Sequence, residues 1–266
     1  TMDEEAGLII TFDDVTRLVT AQRNAAWREV ARRIAHEIKN PLTPIQLSAE
    51  RIKRKYRKEI QTDVETFDRC TDTIIRQVSD IGRMVDEFSS FARMPEPKVE
   101  SVEMSELCQA ATFAQRVATP TVDTSFKRPE RSIYALCDAR LSSQALANIL
   151  KNAAESVIAR MENGVGDNTP GQIRVSLRED EGYAVIEVCD NGLGWPTANR
   201  ERLTEPYMTT REKGTGLGLA IVKRVMEDHK GRLELGLPDS GQGAVVRLVF
   251  PLANDSTTDS PTKKEA

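Results

Sequence analysis

The sequence predicts an α+β protein in which a helical hairpin is followed by an α/β sandwich domain. Two long runs of apolar residues at helical spacing fill the first part of the chain. A proline-containing break ends them, and beyond it short β-branched runs alternate with further helical patterns. The 266 residues suit two domains, and 39% of them are hydrophobic, which is enough to build a core.

Composition argues against several classes of protein. The formal net charge of −4 leaves no basic excess to displace counterions from nucleic acid. No run approaches the roughly 20 apolar residues of a membrane-spanning helix, and the start shows no signal-peptide pattern. The wide spacing of the cysteines, without a CxxC pair, indicates reduced thiols in a cytoplasmic chain rather than a zinc site. These cysteines are Cys70, Cys108, Cys137 and Cys189.

The first residues, 1–20, are predicted to be the remnant of an upstream domain and the start of a signalling helix. The stretch GLIITFDDVTRLV begins as an alternating β-branched strand and passes into a helical pattern. A lone strand cannot bury its own face. The DVT before the helix resembles the end of a PAS sensor domain.

Residues 21–94 are predicted to form the helical hairpin. One apolar stripe recurs every three or four residues from Val30 to Tyr56, and a second runs from Val64 to Phe88, broken by Thr71. The polar RKEIQTD between them predicts a turn. Because so long a hairpin leaves apolar surface uncovered, we expect two copies to form a dimeric antiparallel four-helix bundle.

A basic cluster, RIKRKYRK at 51–58, lies at the end of the first predicted helix. Two interpretations stay open for it: a solvated helix end, or a docking surface for an acidic partner. Further along, MPEPKVE carries two prolines and predicts a linker over 95–101.

The second domain is predicted over 102–252, with a disordered polar tail at 253–266. Helical patterns cover about 105–117, 139–161 and 217–229. Strand patterns cover about 122–126, 172–178, 183–189, 232–237 and 244–250.

Three groups in this domain could bind a nucleotide, although each alone has an ordinary structural explanation. In LANILKNAAESV, Asn148 and Asn152 stack on one helix face, where two surface amides can also simply satisfy each other. In VIEVCDNGLGWP, Asp190 ends a buried-looking strand and can accept a hydrogen bond from an amino group. A plain Asn-Gly turn is the alternative explanation there.

The third group is REKGTGLGLAIVKRV, whose glycines open an amphipathic helix and so present backbone N–H groups suited to phosphates. Its spacing matches neither the Rossmann GxGxxG nor the Walker GK[ST] pattern. Taken together, NxxxN, DxGxG and then GxGxG before a helix resemble the Bergerat (GHKL) ATP-binding fold. Gyrase, Hsp90, MutL and histidine kinases share that fold.

The resemblance implies that ATP and Mg²⁺ are bound. Asn152 would bind the Mg²⁺ that bridges the phosphates, with Asn148 beside it. Asp190 would accept the adenine amino hydrogen, while Gly192 and Gly194 would let the backbone approach the base.

A lid over the nucleotide is implied for about 195–213, where LTEPYMTT is similar to the family's phenylalanine box with Tyr207 in place of Phe. His229-Lys230-Gly231 is similar to the family's HGG turn, and we interpret His229 as structural. The remaining nucleotide-contacting residues implied are Gly214, Thr215, Gly216, Leu217 and Gly218.

The other of the two histidines lies in RIAHEIKNPLTP, on the first predicted helix. His36 is about 200° around the helix from both Ile34 and Ile38, so it is predicted to face away from the apolar stripe. A passive surface histidine is the commoner case. Here the sequence AHEIKNPLTP resembles the phosphoacceptor box of histidine kinases, with Pro41 interrupting the helical hydrogen bonds and predicting a bend.

The chemistry of this box is phosphoryl transfer. A neutral imidazole nitrogen of His36 can attack the γ-phosphorus in line. Glu37 can accept a hydrogen bond from the other ring N–H and so set the tautomer. Asn40, on the same helix face, can place a water, which by resemblance to the family's ExxN pattern suits dephosphorylation of a partner. Lys39 could meet a phosphoryl oxygen, although a solvated lysine is commoner.

The longer string HEIKNPLTPIQLSAERIKRKY is most similar to the nitrogen-regulation sensor kinases of the NtrY type. The resemblance implies a homodimeric ATP-dependent protein-histidine kinase. It would transfer phosphate from His36 to an aspartate of a response regulator's receiver domain, as the cytosolic part of an inner-membrane sensor. Two alternatives stay open: a phosphatase-biased protein, and a non-catalytic dimeric signalling scaffold.

Overall fold

The computed structural model describes residues 16–92, 94–164, 169–196, 200–205, 208, 216–239 and 241–253. The predicted opening strand and the predicted C-terminal tail lie outside these ranges. Contacts within the chain divide it into two compact units, with the division between Met94 and Pro95. No helix among the described residues is long and apolar enough to cross a membrane.

The first unit is a pair of long helices, α1 over Thr16–Tyr56 and α2 over Val64–Ala92. Helix α1 begins at Thr16, where the sequence pattern changes from strand to helix, and it continues through both Pro41 and Pro44. A proline lacks the N–H that bonds the carbonyl four residues earlier. The helix therefore forgoes its usual hydrogen bonds at the carbonyls of Glu37 and Asn40, directly after His36.

The contact between α1 and α2 is narrow and uses small or β-branched side chains. Ala35 and Ala49 of α1 and Val78 and Val85 of α2 are buried, as is Thr71, the polar break in the second stripe. The Thr71 hydroxyl donates to the Phe67 carbonyl oxygen at 2.9 Å, so a polar group is tolerated at this position. Small residues at the seam let the two helices approach closely.

Ion pairs flank this seam. Two cations of the basic cluster at 51–58 bind aspartates of α2, while the cluster's other basic side chains are exposed. Lys39, beside His36 in sequence, likewise binds α2 rather than standing free for a phosphoryl group. The pairs are Lys39 with Asp86, Lys53 with Asp72 at 2.5 Å, and Arg57 with Asp68 at 2.7 Å.

The predicted apolar stripe of α1 divides into two parts. Its Ala49 is buried against α2 and its Leu42 is half-buried, but the other large members remain exposed: Ile34 and Ile38 are each 39% exposed and Ile45 is 46% exposed. A single helix–helix contact covers only a narrow strip, so the wide apolar face cannot be buried inside one hairpin.

The second unit is built on a mixed five-stranded sheet with helices on one face. A separate two-stranded sheet, β1 with β3, was not predicted, because strands of four residues carry little periodic signal. The main sheet has the order β2-β4-β5-β7-β6; β2 and β4 are parallel and the other neighbours antiparallel. The strands are β1 Glu100–Glu103, β2 Asp123–Lys127, β3 Tyr134–Cys137, β4 Gln172–Asp180, β5 Tyr183–Asp190, β6 Arg232–Gly236 and β7 Ala244–Pro251.

The core lies between this sheet and α3 (Met104–Ala118), α4 (Ala139–Glu162) and α5 (Gly218–Asp228). Alternate strand residues such as Ile173, Ile186 and Leu248 are fully buried against apolar helix residues. A short 3₁₀ helix spans Arg200–Thr204. The predicted α+β class is confirmed, with an α/β sandwich following a helical pair.

His229 joins the end of α5 to the start of α4. It is buried, its Nδ1–H donates to the Val225 carbonyl oxygen at 2.6 Å, and its Nε2 accepts the Asp138 N–H at 2.8 Å. Asp138 in turn caps α4 by accepting the N–H groups of Arg140 and Leu141. These bonds agree with the structural interpretation of His229, and they fix the helix that carries the asparagine pair.

Candidate active site

Helix α4 presents a row of polar side chains toward the loop after β5 and the start of α5. Asn148 and Asn152 are half-buried and lie one turn apart, while Leu146 and Leu150 anchor the opposite, buried face. Ser156 continues the row by one more turn. The sequence analysis missed Ser156; its spacing of four from Asn152 was the available signal.

Ser156 holds the loop that follows β5. Its Oγ accepts the Leu193 N–H at 3.0 Å, and a Cβ added at Gly192 would lie 2.3 Å from that Oγ and 2.7 Å from the Ser156 carbonyl carbon. Because backbone cannot give way as a side-chain tip can, residue 192 must be glycine for the loop to lie this close to α4.

Asp190 stands at the end of β5 and is only 6% exposed. One of its carboxylate oxygens accepts the Gly192 N–H at 2.8 Å, which fixes the side chain at the root of the loop. The next residue, Asn191, ties the loop to β4, since its Oδ1 accepts the Gln172 N–H at 2.8 Å. Asp190 and Asn191 thus both fix the start of this loop.

The far side of the same loop packs on the connection between β6 and β7. Gly194 has a φ of +77°, and a Cβ there would lie 2.8 Å from the Gly243 carbonyl oxygen. The Trp195 indole N–H donates to the Gly236 carbonyl oxygen at 2.6 Å. Residues 190–195 are thus held between α4 on one side and the β6–β7 connection on the other.

The start of α5 completes this group. Gly216 has a φ of +69°, and Leu217 is buried at the N-cap position without a capping side chain. A Cβ added at Gly218 would lie 3.5 Å from Nδ2 of Asn152, which places the beginning of α5 beside the asparagine row. Backbone N–H groups at such a helix start suit phosphate oxygens. Of the implied site residues, Tyr207, Gly214 and Thr215 lie outside the described residues.

In the first unit, His36, Glu37 and Asn40 are all exposed on α1. The Glu37 carboxylate binds Arg33 Nε at 2.9 Å, one turn back, in an ion pair whose side chains are 63% and 80% exposed. A pair this exposed stabilises by only about 0.3–0.5 kcal/mol, so Glu37 can leave Arg33 at little cost. His36 lies about 100° around the helix from the buried Ala35, so its imidazole is accessible to solvent.

Two family descriptions match the chain. The "His Kinase A (phospho-acceptor) domain" matches residues 26–97, and the "Histidine kinase-, DNA gyrase B-, and HSP90-like ATPase" matches residues 137–254. The first match covers His36, and the second covers the asparagine row, Asp190 and the start of α5.

Among curated relatives, the "Nitrogen regulation protein NtrY" of Azorhizobium caulinodans is 54% identical over 98% of this chain and 34% of its own length. A "Putative sensor histidine kinase NtrY-like" of Rickettsia conorii is 39% identical over 94% of this chain and 41% of its own. The chain thus spans about a third to two fifths of the length of these relatives.

Two solved structures share the fold. Full-length ShkA in complex with AMPPNP aligns with a TM-score of 0.61 at 21% identity, covering 85% of this chain and 46% of that one. The histidine kinase ThkA in complex with the response regulator TrrA aligns with a TM-score of 0.60 at 22% identity, covering 91% and 69%.

Proposed function

This chain belongs to the sensor histidine kinases of the NtrY type, and we propose that it autophosphorylates His36 from Mg-ATP. It then passes the phosphoryl group to an aspartate in the receiver domain of a response regulator. The observation that carries most weight is the meeting of Asn152, the loop after Asp190 and the start of α5 along one stretch of α4. These elements are distant in sequence, and nucleotide binding accounts for their meeting.

ATP would be held from both ends. The Asp190 carboxylate accepts the adenine amino hydrogen, while the glycines that follow let the backbone lie close to the base. The N–H groups at the start of α5 receive the phosphates.

Asn152 is the candidate Mg²⁺ ligand. Its amide oxygen is the hard donor that Mg²⁺ prefers, and this ion usually takes few protein ligands beside phosphate oxygens and waters. When bound, Mg²⁺ would offset the charge of the phosphates.

His36 is the nucleophile. A ring nitrogen lone pair forms the N–P bond as the bond from the γ-phosphorus to ADP oxygen breaks. The other ring N–H donates to Glu37, which exchanges its exposed partner Arg33 for the imidazole and stabilises the positive ring. Solvent exposure at His36 lets both the nucleotide and a receiver domain reach it.

A homodimer is the assembly that this chain needs. The exposed large apolar residues of α1 lie about 60–140° around the helix from Ala35, and those of α2 lie about 40–120° from Val78. Both sets flank the same seam, so a second hairpin covers them together as a four-helix bundle. On α1 these are Val30, Ile34, Ile38, Ile45, Ile52 and Tyr56, and on α2 Ile74, Ile81 and Met84.

Removal of phosphate from the partner is the second activity proposed for the same helix face. Asn40 is exposed one turn after His36, with an amide that can hold a water. Asn40→Ala should slow dephosphorylation of the regulator while leaving autophosphorylation of His36 unchanged. Equal loss of both activities would argue against a role for Asn40 in placing the water.

Incorporation of label from γ-labelled ATP tests the kinase proposal. Wild type should become labelled with acid-labile, alkali-stable phosphate, as expected for phosphohistidine. His36→Gln should stay unlabelled yet still show the Mg-ATP-induced shift in melting temperature. Label that persists in His36→Gln, or a wild type that binds Mg-ATP but takes no label, would overturn the proposal.

A further inference from the structure

The sheet of the second unit has an open face, opposite the helices, and a cavity of about 370 Å³ lies on it. Strands β2, β4, β5 and β7 form its floor, and the connection after β6 lies along it. Sites for small molecules typically have volumes of about 300–1,000 Å³. We propose that this cavity binds a small organic dianion, a dicarboxylate or a phosphomonoester, and that binding is coupled to the nucleotide loop.

The lining of the cavity holds three basic side chains and only two acidic ones. Lys127 on β2 and Arg174 on β4 both line it, and within the described residues neither forms a salt bridge. Arg247, the third cation of the lining, is instead bound to Glu187 at 2.7 Å. Asp239, the other carboxylate of the lining, follows β6 at the opposite edge of the sheet from β2.

Strand register places the cationic groups together with hydroxyls. Ser125 of β2 is opposite Arg174, and Lys127 is opposite Ser176, so the four side chains alternate on two parallel neighbours. Neighbouring strands are about 4.8 Å apart and rise about 3.3 Å per residue, which puts the two basic Cα atoms about 8 Å apart. That spacing suits two anionic groups, or two oxygens of one anionic group, on a single small molecule. Arg174 can bind one carboxylate or phosphate through two N–H groups.

The rest of the lining suits a short carbon chain. Val245 is buried on the floor, and Leu237 and Cys189 border it. A molecule with charged groups at one side and an apolar body at the other therefore fits better than inorganic phosphate alone.

Coupling to the nucleotide loop follows from two features. Cys189 and Asp190 are consecutive on β5, so their side chains point to opposite faces, Cys189 into the cavity and Asp190 toward the nucleotide side. The β6–β7 connection lines the cavity with Leu237, and its ends contact the nucleotide loop through Gly236 and Gly243. A ligand that fixes this connection biases the loop that holds adenine.

Calorimetric titration of the full chain with succinate and with glycerol 3-phosphate tests the site. At least one of these two anions should bind, and which one binds shows whether the site prefers carboxylates or a phosphate. Succinamide, which carries no charge, should not bind. Lys127→Gln and Arg174→Gln should each weaken binding tenfold or more. Arg178→Gln, on the same strand and face but outside the lining, is the matched control and should bind normally.

Absence of binding by both anions, or equal binding by Arg174→Gln and wild type, would overturn the site. None of these measurements uses phosphorylation, so they stand or fall separately from the kinase proposal.

Thiol labelling locates the ligand. Burial raises the pKa of the Cys189 thiol, and the nearby Arg174 only partly offsets this, so iodoacetamide labelling is run at alkaline pH. The bound anion should slow labelling of Cys189 several-fold and leave the exposed Cys70 unaffected. Binding without protection of Cys189 places the ligand elsewhere and contradicts the site. An unchanged Mg-ATP affinity in the presence of the protecting anion contradicts the coupling.

Discussion

At the scale of single residues, Asp190 has two tasks that one substitution can separate. Its carboxylate accepts the Gly192 N–H at 2.8 Å and is proposed to accept the adenine amino group as well. Asn at this position keeps one acceptor oxygen for Gly192, but it presents an NH₂ donor where adenine also donates. Asp190→Asn should therefore keep the fold and bind Mg-ATP at least tenfold more weakly.

The melting-temperature shift with Mg-ATP measures this loss, and the melting temperature without nucleotide reports the fold. Asp180→Asn, at the exposed end of β4, is the control and should respond to Mg-ATP as wild type does. A normal shift in Asp190→Asn would remove Asp190 from the adenine site.

Asp138 makes the stability of the second unit depend on pH. Burial alone would raise its pKa, but the N–H groups of Leu141, Lys98 and Arg140, together with the charge of Arg140, lower the pKa overall. A carboxylate whose pKa is lower in the folded state stabilises the fold above its ordinary value of 3.8. That contribution is lost as the pH falls through the folded-state pKa.

Asp138→Ala should lower the free energy of unfolding by about 0.5–2 kcal/mol at pH 7, the range measured for loss of an N-cap. Its difference from wild type should shrink as the pH falls below 3.8, since the wild-type group then becomes protonated. Urea unfolding at several pH values measures both. Asp138→Asn keeps an acceptor oxygen and should lose less unfolding free energy than Asp138→Ala. If the difference between Asp138→Ala and wild type grew in acid, the lowered pKa of Asp138 would be contradicted.

At the scale of elements, helix α1 exposes large apolar side chains on two different faces. Ile45 is 46% exposed on the face shared with Ile34 and Ile38. Leu47 is 59% exposed, yet it lies about 200° further around the helix, nearer the side that carries His36. Only the first of these faces adjoins the seam with α2.

The pair Ile45→Asp and Leu47→Asp tests the proposed bundle. A charge at Ile45 would be buried without a partner in the dimer, so the dimer should dissociate at concentrations where wild type is intact. The same change at Leu47, two residues away, should leave the dimer unaffected. Sedimentation velocity distinguishes the two variants, and an equal effect of both would mean that the dimer uses another face.

At the scale of the whole molecule, the two units each have a core of their own. The nucleotide-binding groups proposed above all belong to the second unit, so ligand linkage should act on that unit. Thermal unfolding of the chain should show two transitions, and saturating Mg-ATP should raise the midpoint temperature of only one of them.

His36→Gln should not alter that response, whereas Asp190→Asn should abolish it. A scaffold without nucleotide affinity would show no shift in either transition. A single transition raised as a whole by Mg-ATP would mean that the units unfold together.

The sequence by itself determined which segments form helices and strands, and the class of site. Helical and alternating spacing of apolar residues depends only on neighbours in the chain. The class of site followed from the order of the NxxxN pattern, the DxGxG pattern and the glycines before α5. The β1–β3 pair was missed because four-residue strands carry almost no period.

Only the tertiary structure decided which side chains meet. Ser156 holds the Asp190 loop, and Lys39 is bound to Asp86. In the apolar stripe of α1, Ala49 is buried while the isoleucines are exposed. Periodicity reports the face on which a residue lies. What occupies the space opposite that face depends on packing between segments distant in sequence, which no local pattern encodes.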